Sequence, residues 1–181
     1  RHRALTGSAR AISRHQTLLG ATGTGKSATT AWLVDEAGGS PGADRFLANL
    51  GSRLLADGMP LAGGALTLAV PHPIIARRTW LWRADSGTVI EALGFAGAPP
   101  DPTGRDWLAE LGPVQQHAAG WAPDSPVLGW AATRPLRPAE TGRLREIARF
   151  AAAPLAALAG RVALAALLEA YLGRRSAARV Q

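Results

Sequence analysis

Eight consecutive residues, Gly20-Ala21-Thr22-Gly23-Thr24-Gly25-Lys26-Ser27, satisfy the pattern G-x-x-x-x-G-K-[ST] in full. Each residue type has a chemical reason to be there. Gly20, Gly23 and Gly25 let backbone N–H groups converge on phosphate oxygens, Lys26 reaches the terminal phosphates, and the Ser27 hydroxyl ligates magnesium. A helix beginning just after the loop would add the positive end of its dipole. ATP with Mg²⁺ is the cofactor such a loop takes, with Ser27 as its metal ligand if the loop is functional. Lys26 is the only lysine among the 20 Lys and Arg residues. A composition that nearly excludes lysine seldom places its one copy between Gly25 and Ser27 by chance.

Hydrolysis of the bound nucleotide needs more than the loop. An acid at the end of an apolar strand must hold magnesium and polarise water. The pair Asp35-Glu36 is acidic, but it falls on the helix expected after the loop rather than at a strand end. Three readings stay open: a hydrolysing site, a phosphate-binding loop, and a remnant without a supporting sheet. The segment His15 to Leu33 resembles the phosphate loop of the excinuclease helicase, the ATP-binding component of excision repair. That resemblance implies ATP and magnesium at Lys26 and Ser27. It covers about a tenth of the chain, and no later helicase motif succeeds it.

The elements around the loop are set by periodicity and punctuation. Ser27 to Glu36 suits a helix, ended by Gly38-Gly39-Ser40-Pro41-Gly42. Asp44 to Ala56 carries Phe46, Leu47, Leu50, Leu54 and Leu55 on one helical face. After Asp57-Gly58-Met59-Pro60 the period changes to two. Strands are expected around Leu66 to Val70, over Thr79 to Arg83 and over Thr88 to Leu93, forming an antiparallel meander. A short helix is expected around Arg105 to Leu111, a strand over Val127 to Ala132, and a helix over Ala139 to Ala152. Residues 112–126 give no clear signal. Pro154 is read as an interruption, beyond which Leu155, Leu158, Val162, Ala165, Leu168 and Leu172 recur by threes and fours. Such a stripe is either core packing or a dimer seam. The whole is an α+β fold of GAF/PAS-like kind: an antiparallel sheet, flanking helices and a long C-terminal helix.

Composition narrows the function classes. With no cysteine, disulfides, thiolate metal sites and cysteine nucleophiles are excluded. The net charge of +7 invites nucleic acid, but arginines are scattered, with short clusters only at the two ends, so nucleic acid is not expected as a partner. The apolar run Phe150 to Leu172 has Arg161 at its centre and Glu169 beyond, so it reads as a soluble helix rather than a membrane span. The first residues lead into no apolar stretch of signal-peptide type. A cytoplasmic location without membrane contact is the expectation.

From about Ala31 onward the chain resembles the region preceding the catalytic domain in bacterial class III adenylate/guanylate cyclases. The carrying segments are Ala31 to Ala37 (AWLVDEA), Leu54 to Leu61 (LLADGMPL), Pro71 to Pro73, Thr79 to Arg83 (TWLWR), Leu144 to Arg149 (LREIAR) and Leu167 to Val180 (LLEAYLGRRSAARV). The resemblance implies three parts: a basic tail with the P-loop-like segment over 1–36, a GAF-like sensory domain over 37–153, and a signalling helix with linker over 154–181. It implies a regulatory role in cyclic-nucleotide signal transduction, a homodimer through the C-terminal helix, and a cyclase catalytic domain as possible partner. The family's two metal-binding aspartates would lie in a domain beginning after Gln181, so no cyclase activity and no catalytic residue is expected in residues 1–181. Trp80, Trp82, Trp107, Trp121 and Trp130 are candidates either for lining a ligand pocket or for plain core. His72, between two prolines, reads as a loop residue.

Overall fold

The computed structural model describes residues 28–36, 41–97 and 103–172. Five helices and five strands run in the order α1 (Ala28–Glu36), α2 (Ala43–Ala56), β1 (Leu61–Ala69), β2 (Ile75–Arg83), β3 (Val89–Phe95), α3 (Thr103–Leu111), β4 (Val114–Ala118), β5 (Val127–Ala132), α4 (Pro138–Phe150) and α5 (Ala152–Leu172). The strands form one antiparallel sheet in the order β3-β2-β1-β5-β4. The class is α+β, with an open antiparallel sheet, flanking helices and a long C-terminal helix, as the sequence predicts.

Helix α2 shows why the local sequence folds as it does. Phe46, Leu47, Leu50 and Leu54 repeat at helical spacing and are all buried. Asp44 sits in the first turn and Arg53 in the last, each favourable toward the adjacent end of the helix dipole. The helix ends in a Schellman arrangement. Met59 N–H donates to the Leu54 carbonyl and Gly58 N–H to the Leu55 carbonyl, both at 2.9 Å. Gly58 has φ of 82°, a conformation that favours glycine. Met59 and Leu54 both enter the core, closing the motif with an apolar contact.

The sheet has two covered faces of unequal weight. Strand alternation puts Leu66, Leu68, Trp80, Trp82, Leu128 and Trp130 on one face, and all belong to the main core. Helices α2, α4 and α5 supply Phe46, Leu47, Leu50, Leu144, Ile147, Leu155 and Leu158 to the same core, and Leu33 of α1 joins them. Ala65, Leu81 and Ala131 face the other way and meet Leu108 of α3, with Trp107 and Leu111 packed around them.

Two strands begin four or more residues earlier than periodicity predicts, and a third gives no periodic signal. Strand β1 starts at Leu61, not near Leu66, because Gly63 and Gly64 hide the alternation. Gly64 pairs with Trp82 on one side and Trp130 on the other, and a Cβ there would lie 2.6 Å from Cζ3 of Trp130. The absent side chain makes room for the indole. Strand β2 likewise begins at Ile75, four residues before Thr79. Strand β4 reads VQQHA, too short and polar to announce itself, and is formed by pairing with β5. Pro154 does not interrupt the last helix. It lies in the first turn of α5, where the backbone N–H has no intrahelical acceptor to lose.

Candidate functional site

The loop Gly20, Gly23, Gly25, Lys26 and Ser27 lies outside the described residues. The described part of helix α1, Ala28–Glu36, follows Ser27 in sequence. Among the described residues every strand pairing is antiparallel, and α1 packs on α2, α4 and α5. The anchor of α1 is polar. Thr29 is buried and its hydroxyl donates to Asp57 Oδ2 at 2.5 Å, while Arg143 Nη2 on α4 donates to the same oxygen at 2.6 Å. Asp35 is exposed. Among the described residues no three His, Asp or Glu side chains gather closely enough to hold a metal ion.

The five tryptophans considered for one pocket are not brought together. Trp80, Trp82 and Trp130 are buried on the main-core face, Trp107 packs against α3's side of the sheet, and Trp121 is fully exposed. The indole Nε1 groups of Trp82 and Trp130 are buried without a hydrogen-bond partner. His72 acts in its loop as expected. Its Nδ1 accepts from the backbone N–H groups of Ile74 and Ile75, each at 3.1 Å, which tightens the turn between β1 and β2. His117 on β4 is half-buried, with Nε2 unpartnered; burial, then the charge of Arg145, holds its pKa below the usual value.

The C-terminal helix leaves part of its apolar surface uncovered. Leu155 and Leu158 are buried in the main core and Val162 packs against it, so the N-terminal half of the stripe read as a seam belongs to the domain's own interior. The side chain of Leu172 lies outside the described residues. A second stripe, offset by one residue, faces outward: Ala157, Gly160, Leu164 and Tyr171 are exposed, with Leu167 half-buried between them. Leu164 is 57% exposed and Tyr171 83%. Their spacing of 3, 4, 3 and 4 is that of a coiled-coil face. Leucines on both faces masked this second stripe in the sequence.

Helix α5 is tied down at two charged residues. Arg161 Nη2 donates to the Pro41 carbonyl at 3.4 Å. Glu169 Oε2 approaches Arg78 Nη2 at 3.5 Å, and Glu91 Oε1 lies 3.6 Å from Arg78 Nε. Arg78 stands on β2 on the same face as Trp80 and Trp82, opposite Leu93 of β3. The end of α5 therefore lies over the β2–β3 margin of the sheet. Sequence reasoning missed this trio because the three residues come from separate elements. One described helix, spanning Ala152–Tyr171, is long and apolar enough by length and composition to cross a membrane, and 22% of its most apolar window is buried.

No protein-family model, curated protein or solved structure matches the chain.

Proposed function

We propose that the chain is a regulatory, sensory-type module of class III adenylate/guanylate cyclases, acting in cyclic-nucleotide signal transduction in the cytoplasm. Its output element is the C-terminal helix, which pairs with a second copy and passes conformational change toward a cyclase catalytic domain. The observation that carries this reading is the dual character of α5. Leu155 and Leu158 root it in the sensory core, while Leu164 and Tyr171 project apolar surface outward from the same rod. A helix built this way links core packing to the geometry of a partner helix. The contacts of Arg161 and Glu169 with Pro41 and Arg78 favour a helix laid on its own domain over one inserted in lipid.

The test is fusion of the chain through its C-terminus to an active class III cyclase catalytic domain. Cyclase output that rises or falls when Leu164→Glu is introduced supports the reading; output indifferent to that change and to removal of residues 1–153 overturns it. A second reading, an ATP-binding fragment related to the excision-repair helicase, draws on one observation: helix α1 (Ala28–Glu36) follows Ser27 in sequence, in the order a phosphate loop and its helix take. Lys26→Ala abolishes measurable ATP affinity on that reading and leaves dimerisation untouched on the first.

A further inference from the structure

Strand β3 forms one margin of the sheet, and among the described residues nothing pairs with its outer edge. The direction of its backbone groups is fixed by one bond. Arg83 N–H donates to the Thr88 carbonyl at 3.0 Å, and Trp82 stands opposite Val89. Arg83 and Thr88 are thus a hydrogen-bonded pair, and by antiparallel alternation Ile90, Ala92 and Gly94 turn their N–H and C=O groups inward to β2. Val89, Glu91, Leu93 and Phe95 turn theirs outward. Apolar side chains crowd this margin: Ile90, Leu93 and Phe95 are 55, 41 and 56% exposed. Strand β3 has no proline and no lysine, and its single charge, Glu91, is paired with Arg78 of β2.

We propose that β3 pairs antiparallel with β3 of a second copy of this chain, about a two-fold axis through Ala92, making one continuous ten-stranded sheet. The register is selected by the sequence. A direct pair must place both side chains on the same face, and the outward-turned residues must oppose one another. Centring on Ala92 sets Glu91 against Leu93 of the partner subunit and Val89 against Phe95 of the partner subunit. All four outward residues of each strand are then satisfied, giving about eight backbone hydrogen bonds. Centring on Glu91 would oppose two carboxylates, and centring on Leu93 would reach beyond the strand to Gly97. The strand is thus complementary to itself in backbone and in the apolar pair Val89–Phe95, and no two carboxylates stand directly opposite, as an isologous interface requires.

A two-fold perpendicular to the sheet keeps both copies of α5 on the same face. Arg78, which holds Glu169, is one strand in from the axis, so the two Arg78 strands stand three strand spacings apart, about 14 Å. The ends of the two α5 helices then converge beside the axis. Their use as paired output rods rests on the signalling reading; the edge pairing does not.

The absence of cysteine from the chain allows a clean test. In the proposed register the two Ala92 residues form a non-hydrogen-bonded pair with Cα atoms about 4.5 Å apart, inside the range of about 4.4–6.8 Å that a disulfide spans. Ala92→Cys in the full chain is expected to form a reducible covalent dimer under mild oxidation, and Ser86→Cys, in the turn before β3, is not. Leu93→Lys, at an exposed position, is expected to weaken the dimer by about tenfold in sedimentation velocity, with unchanged circular dichroism. A monomer at all concentrations overturns the inference. So does a dimer that Ala92→Cys fails to cross-link and Leu93→Lys leaves intact. If Leu164→Glu alone dissolves that dimer, the helix-mediated reading stands while the edge pairing falls.

Discussion

Arg143 on α4 grips Asp57, the residue that ends α2, with Nη2 donating to Oδ2 at 2.6 Å across 86 residues of sequence. The Thr29 hydroxyl of α1 donates to the same oxygen, so one carboxylate joins three helices. Both partners of the ion pair are largely shielded, at 30 and 21% side-chain exposure, and removing the carboxylate takes the acceptor from the buried Thr29 hydroxyl and leaves Arg143 with the residue 57 backbone carbonyl but without this counter-charge. Asp57→Ala is expected to destabilise the fold by about 2 kcal/mol in urea titration, and Thr29→Val by about 1 kcal/mol. Equal stability of Asp57→Ala and the parent chain would show that the junction is ornamental.

Gly64 stands between Trp82 and Trp130 because nothing larger fits. A Cβ would lie 2.6 Å from the Trp130 ring, and Trp130 has no exposed surface into which to retreat. Gly64→Ala is expected to cost about 2 kcal/mol and to alter tryptophan emission, as overpacking of a rigid interior does. Gly142→Ala, on α4 with open space around its Cβ position, is the control and is expected to be neutral or slightly stabilising.

Glu140 links the approach to α4 with its first turn. It accepts from Nη2 and Nη1 of Arg134, at 2.7 and 2.9 Å, and from the backbone N–H of Arg137 at 2.8 Å. The Arg134 hydrogen bonds first, then the Arg137 amide, hold its carboxyl down to about 2 from an ordinary 4.5. The unfolded chain therefore takes up a proton near pH 4.5 that the folded chain refuses until about pH 2. Stability contributed by this group is complete above about pH 4.5 and declines as pH falls toward about 2. Urea midpoints measured across that window should fall more steeply for the parent than for Glu140→Gln.

The two faces of α5 make opposite predictions. Leu158 is buried in the main core, so Leu158→Ala is expected to cost about 2–5 kcal/mol of monomer stability. Leu164→Glu and Tyr171→Ser touch exposed positions and should change monomer stability by no more than about 0.5 kcal/mol. Thermal unfolding at low concentration reads the difference. Similar losses at Leu158 and Leu164 would mean that the helix buries both faces.

Much of this arrangement was legible in the sequence. The 3.6-residue repeat located α2 to within one residue, and the apolar run Val127–Ala132 gave β5 its full extent, because buried central elements leave strong patterns. What escaped was set by tertiary contact. Gly63 and Gly64 look like strand breakers until the indole between the neighbouring strands is seen. The polar sequence of β4 takes its conformation from β5. Pro154 looks like a stop until its place in a first turn is known. At α5 the repeat of threes and fours was correct as a helix but ambiguous in face, since leucines occupy both sides; only burial distinguishes the stripe rooted in the core from the one that projects. The trio Arg78, Glu91 and Glu169 leaves no local signal at all.

The sheet also constrains the order in which the protein can assemble as it leaves the ribosome. Neighbouring strands are close in sequence everywhere except at β1, whose second partner, β5, begins at residue 127. Until those residues emerge, a meander of β1, β2 and β3 must wait with the inner edge of β1 unpaired and Leu66 without Leu128 beside it. Nascent chains held at that stage are the ones most exposed to chaperone capture and to misassociation with one another.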